Sequence, residues 1–106
     1  MQTQLEENER ILAAVEAAGG GYVWDAEIFA VTLMDVVADD GLAKSLCVLA
    51  GVQQIAINSS RLSFDTVKNV AQIPNLRSLV LNHAALTNDE AAYLASLVPE
   101  LILVNE

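Results

Sequence analysis

An aliphatic triad recurs along this chain at a near-constant spacing, and it constrains the fold more than any other feature. The clearest copy has the form L-x-x-L-x-L and is followed by Asn82. Three copies follow one another at an identical step, and they are Ile28, Val31 and Leu33; Val52, Ile55 and Ile57; and Leu76, Leu79 and Leu81. A partial fourth copy, Leu101 and Val104, follows Leu76 and Leu79 at a step that is longer by a single position. A fixed period of this length is typical of repeat proteins, in which each copy is one supersecondary unit.

The segments between the triads share a second pattern: an apolar residue, a polar turn and a short amphipathic run with helical spacing. Thr87 and Glu90 match the capping box that begins a helix. Ser63 and Asp39 stand at the corresponding places of the earlier units and are expected to cap their helices. Each unit therefore predicts one short strand, a turn and one helix, and stacked units would share a continuous core. Parallel strands with helical crossovers should coil right-handed.

The beginning of the chain differs from the repeats. Residues 3–18 predict a helix, with Thr3 and Glu6 as a capping box and Gly19 to Gly21 as its stop. The sequence thus predicts one domain over residues 1–106, in which residues 1–21 form the N-terminal cap helix and glycine stop and residues 22–106 the repeats.

These residues resemble the leucine-rich-repeat family. The family pattern stands as Leu76 to Glu90, and the order of a helix, a Gly-Gly stop, a strand and a V-x-L strand over residues 11–42 is similar to the short bacterial members. Ser60 and Ala84 depart from the family, because they occupy its frequent Asn or Cys ladder position. The resemblance implies an α/β fold: a right-handed leucine-rich-repeat solenoid of about four strand–helix units, with a short parallel sheet and an N-terminal capping helix. It also implies protein binding through the sheet side.

Charge narrows the classes of ligand. The net charge is −9 and the pI is near 4.2, which argues against nucleic acid and anionic membranes because both require a basic surface. Residues 1–40 hold nine acids against Arg10, and residues 41–106 hold five acids against four bases. This acidic third either provides solubility or docks a basic partner, as in an acidic neutraliser of a basic toxin. No signal sequence or membrane-spanning run is evident, so the cytoplasm is the default expectation.

Catalytic chemistry has weak support in the sequence. His83 is the only histidine and follows a strand, where it is expected near the surface. Cys47 lies in a helical run and is expected to be a buried structural thiol. Asp35, Asp39 and Asp40 lack the spacing of a calcium loop. We therefore expect no catalytic residues, no metal site and no cofactor, and an enzyme ranks last among the candidate functions.

The outer side of the predicted sheet is the expected binding surface. Alternate side chains of a strand face away from the core, and these are small, neutral and partly apolar here. The predicted protein-binding residues are Thr32, Met34, Gln54, Ala56, Asn58, Ser78, Val80 and Asn82, with Leu103 and Asn105 facing outward from the last strand. Ala56 and Val80 are expected at its centre. The leading hypothesis is a non-catalytic protein–protein interaction module, an adaptor or inhibitor.

The last strand predicts a second kind of contact. Ile102, Leu103 and Val104 would lie on an open sheet edge, and exposed apolar edges favour strand pairing. Either a partner protein or a second copy of the chain would cover that edge. The alternative function is therefore a self-associating structural fragment that pairs through this strand.

Overall fold

The computed structural model describes residues 4–104, with the backbone alone at residues 4–5 and 35–37. The expected α/β class is confirmed. The elements in chain order are α1 (Gln4–Ala17), β1 (Gly21–Trp24), β2 (Phe29–Val37), α2 (Asp40–Leu46), β3 (Gln54–Asn58), α3 (Phe64–Ala71), β4 (Ser78–Asn82), α4 (Asn88–Leu97) and β5 (Glu100–Val104). The five strands form one sheet in the order β1-β2-β3-β4-β5. The strand pair β1–β2 is antiparallel, and the other three pairs are parallel.

The parallel strands align equivalent positions of the repeat. Val31 lies beside Ile55, Ile55 beside Leu79 and Leu79 beside Leu101. The next inward-facing residue of each strand is paired in the same way. The residues of these inner rows in β2, β3 and β4 are at most 1% exposed. Helical side chains cover them from one side of the sheet, and the largest contributors are Leu46, Val67, Val70 and Leu94. The core is thus aliphatic and is shared by successive units.

The polar turns begin the helices as the sequence predicts. Asp39 accepts a hydrogen bond from the Leu42 amide, and Ser63 accepts one from the Thr66 amide. Thr87 and Glu90 form the predicted capping box, in which each side chain accepts from the other residue's backbone. The other predicted capping box involves Thr3, which lies outside the described residues. These caps satisfy amides that have no partner within a helix and fix where each helix starts.

The register of β5 corrects the sequence prediction. Leu101, and not Val104, lies beside Leu79, and Leu103 lies beside Leu81. Leu103 therefore belongs to the inner row and Ile102 to the outer face, whereas alignment of Leu101 with Leu76 predicts Leu103 facing outward. The predicted outward Asn105 lies beyond the described residues. The cause is the short link of two residues between α4 and β5, where six residues join α3 to β4.

The start of β2 also differs from the prediction. Ile28 is 46% exposed instead of contributing to the inner face, and Phe29 is 4% exposed in its place. The antiparallel partner β1 explains this, because Trp24 lies opposite Phe29 and the two rings stack with centroids 5.2 Å apart. Asp25 closes the turn between the strands by accepting from the amides of Glu27 and Ile28. The pairing of β1 with β2 therefore fixes Phe29 as the inward residue.

The N-terminal helix α1 packs against β1 and α2 and contributes to the core. Ile11, Leu12 and Val15 are buried, and the helix ends at Ala17, two residues before Gly19, whose φ of 100° favours glycine. Asn8 is 3% exposed and links the helix to the loop after α2. Its Nδ2 donates to the Ala50 carbonyl at 3.1 Å, and its Oδ1 accepts from the Ala50 amide at 3.0 Å. This pair of bonds is a polar clamp between segments distant in sequence.

Replacing Asn8 with alanine is expected to lower the free energy of unfolding by about 2 kcal/mol, because both bonds are lost and a small void remains. Urea unfolding followed by circular dichroism measures the change. Glu9→Ala, one residue further on an exposed position, is the control and should change stability by less than about 0.5 kcal/mol. Equal stability of Asn8→Ala and Glu9→Ala would show that the clamp contributes nothing.

Candidate protein-binding surface

The sheet side opposite the helices, here called the outer face, is built from alternate residues of the strands. Its central row runs across four strands, and its residues are Thr32, Ala56, Val80 and Ile102. The row on the strand-start side consists of Ala30, Gln54, Ser78 and Glu100. Val23 extends that row on β1, because it lies opposite Ala30. The parallel register therefore brings together side chains that lie a whole repeat apart in the sequence.

The outer face is solvent-accessible and mostly uncharged. Thr32 and Gln54 are exposed, and Ala56, Ser78 and Val80 are half-buried between their neighbours. Ile102 at one end is 41% exposed and Val23 at the other is 52% exposed. The exposed apolar side chains thus lie at the two ends of this face, with small and uncharged side chains between them.

Glu100 is the one charged side chain of these two rows. Its Oε1 accepts a 2.7 Å hydrogen bond from the Ser78 hydroxyl. Ser78 is thereby occupied and is less available to a partner than its position in the sequence indicates. The charge lies on the edge strand, away from the centre at Ala56 and Val80.

Alternation along the strands also predicts a third row of the outer face, Met34, Asn58 and Asn82, and this row does not form as expected. The register of β2 shifts between Leu33 and Val37, so that Val37 instead of Met34 lies beside Asn58. Met34 is half-buried and lies out of line with the two asparagines. The irregularity adds residues to one strand only, a feature of β-bulges that the repeat period does not reveal.

The two asparagines form the turns after their strands. Asn58 is only 8% exposed, although alternation along the strand predicts that it faces outward, and its Oδ1 accepts from the Ser60 amide. The Asn82 carbonyl accepts from both the amide and the hydroxyl of Ser59. The Oδ1 atom of Asn82 is buried and has no hydrogen-bond partner within the described residues. Asn82 joins its unit to the preceding one and Asn58 closes its own turn, so the accessible part of the surface lies in the first two rows.

Sequence reasoning missed Val23 and Ile102 as members of the outer face. The signal for Val23 was present in the strand predicted at residues 22–24, but nothing in the sequence gives its pairing with β2. Ile102 is predicted at the edge alone, because alignment of Leu101 with Leu76 places β5 three positions out of register with β4.

The groups with possible catalytic chemistry are dispersed. His83 is exposed at the exit of β4, as predicted, with a φ of 60°. Cys47 is half-buried at the end of α2, and burial raises the pKa of its thiol, which disfavours the reactive thiolate. Among residues 4–104, no three His, Cys, Asp or Glu side chains are grouped so that they could hold a metal ion.

The acidic turn residues have structural partners. Asp39 caps α2, and Asp40 accepts from the Ser63 amide at 3.0 Å, which joins two successive units. A hydrogen bond from the Ser63 amide makes the largest contribution to lowering the pKa of Asp40 from its usual value of 3.8, and one from the Thr66 hydroxyl makes the next largest. Backbone hydrogen bonds also lower the pKa of Asp25. Asp25, Asp39 and Asp40 therefore serve as hydrogen-bond acceptors in turns.

Comparison with protein-family models, with curated proteins and with solved structures gives no match for this chain. Across residues 4–104, none of the helices has the length and apolar character to cross a membrane.

Proposed function

We propose that this chain is a leucine-rich-repeat-like solenoid that binds another protein through its outer face. The observation that carries the proposal is the alignment of equivalent repeat positions into a neutral surface centred on Ala56 and Val80. The solenoid interpretation is supported by three successive strand–helix units whose strands pair in the same parallel register. Right-handed coiling follows from the general preference of parallel crossovers.

The partner surface should be uncharged at its centre. A charged side chain placed over Ala56 and Val80 would lose hydration without meeting an opposite charge, which costs several kcal/mol by the general estimate for buried ions. Apolar and amide-bearing groups match the face better, because Thr32 and Gln54 offer hydrogen bonds beside the apolar centre. The partner is therefore a protein with a small apolar patch, which suits an adaptor or an inhibitor. An enzymatic role has no comparable support, since the titratable groups are dispersed.

The test is capture from a lysate of the native host with three forms of the chain. In the first variant, Ala56→Arg and Val80→Arg place two cations at the centre of the outer face. The matched control, Ala92→Arg with Val48→Arg, makes the same two changes at exposed positions on the helical side, where Val48 is 51% exposed. Net charge and composition are then identical in the two variants.

Wild type and the helical-side control are expected to capture the same protein, and the outer-face variant to lose it. Melting temperatures of all three forms should agree within a few degrees, because neither pair replaces a fully buried residue. Capture by the outer-face variant at the wild-type level would contradict the proposal. Loss of capture in both variants would assign the effect to charge and not to this surface.

A further inference from the structure

The last strand carries an unused set of backbone hydrogen-bonding groups. The Glu100 amide donates to the Arg77 carbonyl, and the Val104 carbonyl accepts from the His83 amide, so these residues face β4. Successive residues of a strand direct their N–H and C=O groups to opposite sides. Leu101 and Leu103 therefore direct theirs to the other edge. No strand of the described range 4–104 lies against that edge.

The same edge leaves inner-row side chains uncovered. Leu101 and Leu103 continue the rows of Leu79 and Leu81, which are 0% and 1% exposed. Leu103 is nevertheless 41% exposed, and so is Ile102 on the opposite side of the strand. Covering this edge would remove apolar surface from water and also satisfy polar backbone groups, the two contributions that favour strand addition.

We propose that β5 pairs antiparallel with the β5 of a second copy of the chain, about a twofold axis at Ile102. In this register Leu101 lies opposite the second copy's Leu103, and both have edge-facing N–H and C=O groups. Each of the two Leu101–Leu103 pairs can then exchange two backbone hydrogen bonds, as in any antiparallel ladder. Ile102 lies opposite the second copy's Ile102, and Glu100 lies opposite the second copy's Val104. No two acids therefore face each other.

A shift of this register is less favourable. If Leu101 lay opposite the second copy's Leu101, Leu103 would lie opposite the second copy's Pro99, which has no N–H to donate. The twofold arrangement at Ile102 also keeps inner-row leucines beside inner-row leucines. The strand is thus self-complementary in hydrogen bonding, in apolar surface and in charge, which is what an isologous contact requires.

The charge distribution favours this edge over the other one. Six of the nine acids of the N-terminal third lie on α1, which packs against β1, or in the turn that follows β1. The strand β1 is the opposite edge of the sheet from β5. Four strand spacings separate these edges, about 19 Å, whereas charges in physiological salt are screened over about 8 Å. Pairing through β5 therefore keeps the two acidic regions apart, and pairing through β1 would bring them together.

The contact consists of one strand from each copy, so a weak and reversible dimer is expected. Both outer faces would lie on the same side of the joined sheet, with the two Ile102 side chains adjacent at its centre. The inference does not depend on the binding function proposed above, because it concerns backbone pairing at the β5 edge instead of contacts on the outer face, and a different partner.

Sedimentation equilibrium of the whole chain is the first measurement. The apparent mass is expected to rise with concentration from 11.3 kDa towards twice that value and no further. Leu103→Pro removes one edge-facing N–H without touching a bond to β4, and it should weaken dimerisation at least tenfold while the circular dichroism spectrum stays unchanged. A mass that stays at 11.3 kDa at every concentration, or that grows beyond two copies, would overturn the proposal.

Disulfide trapping tests the register itself in a Cys47→Ser background. Opposed residues of a non-hydrogen-bonded antiparallel pair have Cα atoms about 4.5 Å apart, within disulfide range. Ile102→Cys should therefore cross-link into a covalent dimer in an oxidising glutathione buffer. Val23→Cys, the matched control on the opposite edge strand, is 52% exposed and should remain monomeric. Equal cross-linking of the two variants, or none at Ile102→Cys, would refute the pairing even if Leu103→Pro failed to fold.

Discussion

Replacement of Gly20 with alanine is expected to lower the free energy of unfolding by about 2–3 kcal/mol, as overpacking of a tight site does. A Cβ atom at this position would lie 2.4 Å from Leu33 Cδ2, 2.7 Å from the Thr32 carbonyl oxygen and 3.0 Å from Val15 Cγ1. The carbonyl belongs to the backbone of β2 and cannot move away without disturbing the sheet. The glycine is therefore required by the close approach of the segment after α1 to the central strands.

The neighbouring glycine supplies the control. A Cβ at Gly21 would have no atom within 4 Å, so Gly21→Ala should be neutral or slightly stabilising through the unfolded chain. Thermal unfolding of both variants by calorimetry measures the difference. Equal melting temperatures of Gly20→Ala and Gly21→Ala would mean that the N-terminal helix can shift away from β2 at little cost.

Truncation of Leu79 to alanine is expected to have the largest effect on stability, about 3–4 kcal/mol. Leu79 is fully buried and lies between Ile55 and Leu101 in the inner row. The rigid strands on both sides limit relaxation, so most of the cavity should remain. In a domain of this size such a loss is a large part of the total stability.

The adjacent residue on the same strand separates the contribution of core packing to stability from that of strand propensity. Val80→Ala removes methyl groups from the half-buried outer face and should cost about 1 kcal/mol or less. Guanidinium unfolding of the two variants gives both free energies of unfolding. The comparison uses the same slope of free energy against denaturant concentration for both variants. A similar cost at Leu79 and Val80 would contradict the assignment of the core to the helical side of the sheet.

The sequence was most informative where packing and capping repeat. The triads at Val52 and Leu76 predict the strands and their inner faces, and the residues Asp39, Ser63 and Thr87 predict where the helices begin. These features depend on local hydrogen bonds and on alternation, both of which are visible in the order of residues. The same regularity predicted most of the outer face.

Features that break the period could not be predicted in this way. The burial of Phe29 in place of Ile28 accompanies the antiparallel pairing of β1 with β2, and the bulge after Leu33 lies in the parallel pairing of β2 with β3. The inward position of Leu103 depends on the short link after α4, and the repeat period does not predict the length of that link. The clamp from Asn8 joins positions far apart in the chain and leaves no pattern in the sequence. Strand pairing, the length of a link and a contact between distant residues all lie outside the repeat pattern, so a single sequence contains little information on them.

The unequal links between helices and strands have a consequence for variation. Seven residues join α2 to β3, six join α3 to β4 and two join α4 to β5, yet inner-row residues of adjacent strands remain paired throughout. Side-chain packing and strand hydrogen bonds therefore keep inner-row residues paired, and the length of each link decides which residues of the next strand fill that row. Changes in chain length can accumulate at the strand-start end of the molecule without displacing Ala56 from Val80. A chain of this design can thus diverge in length while it keeps the outer face intact.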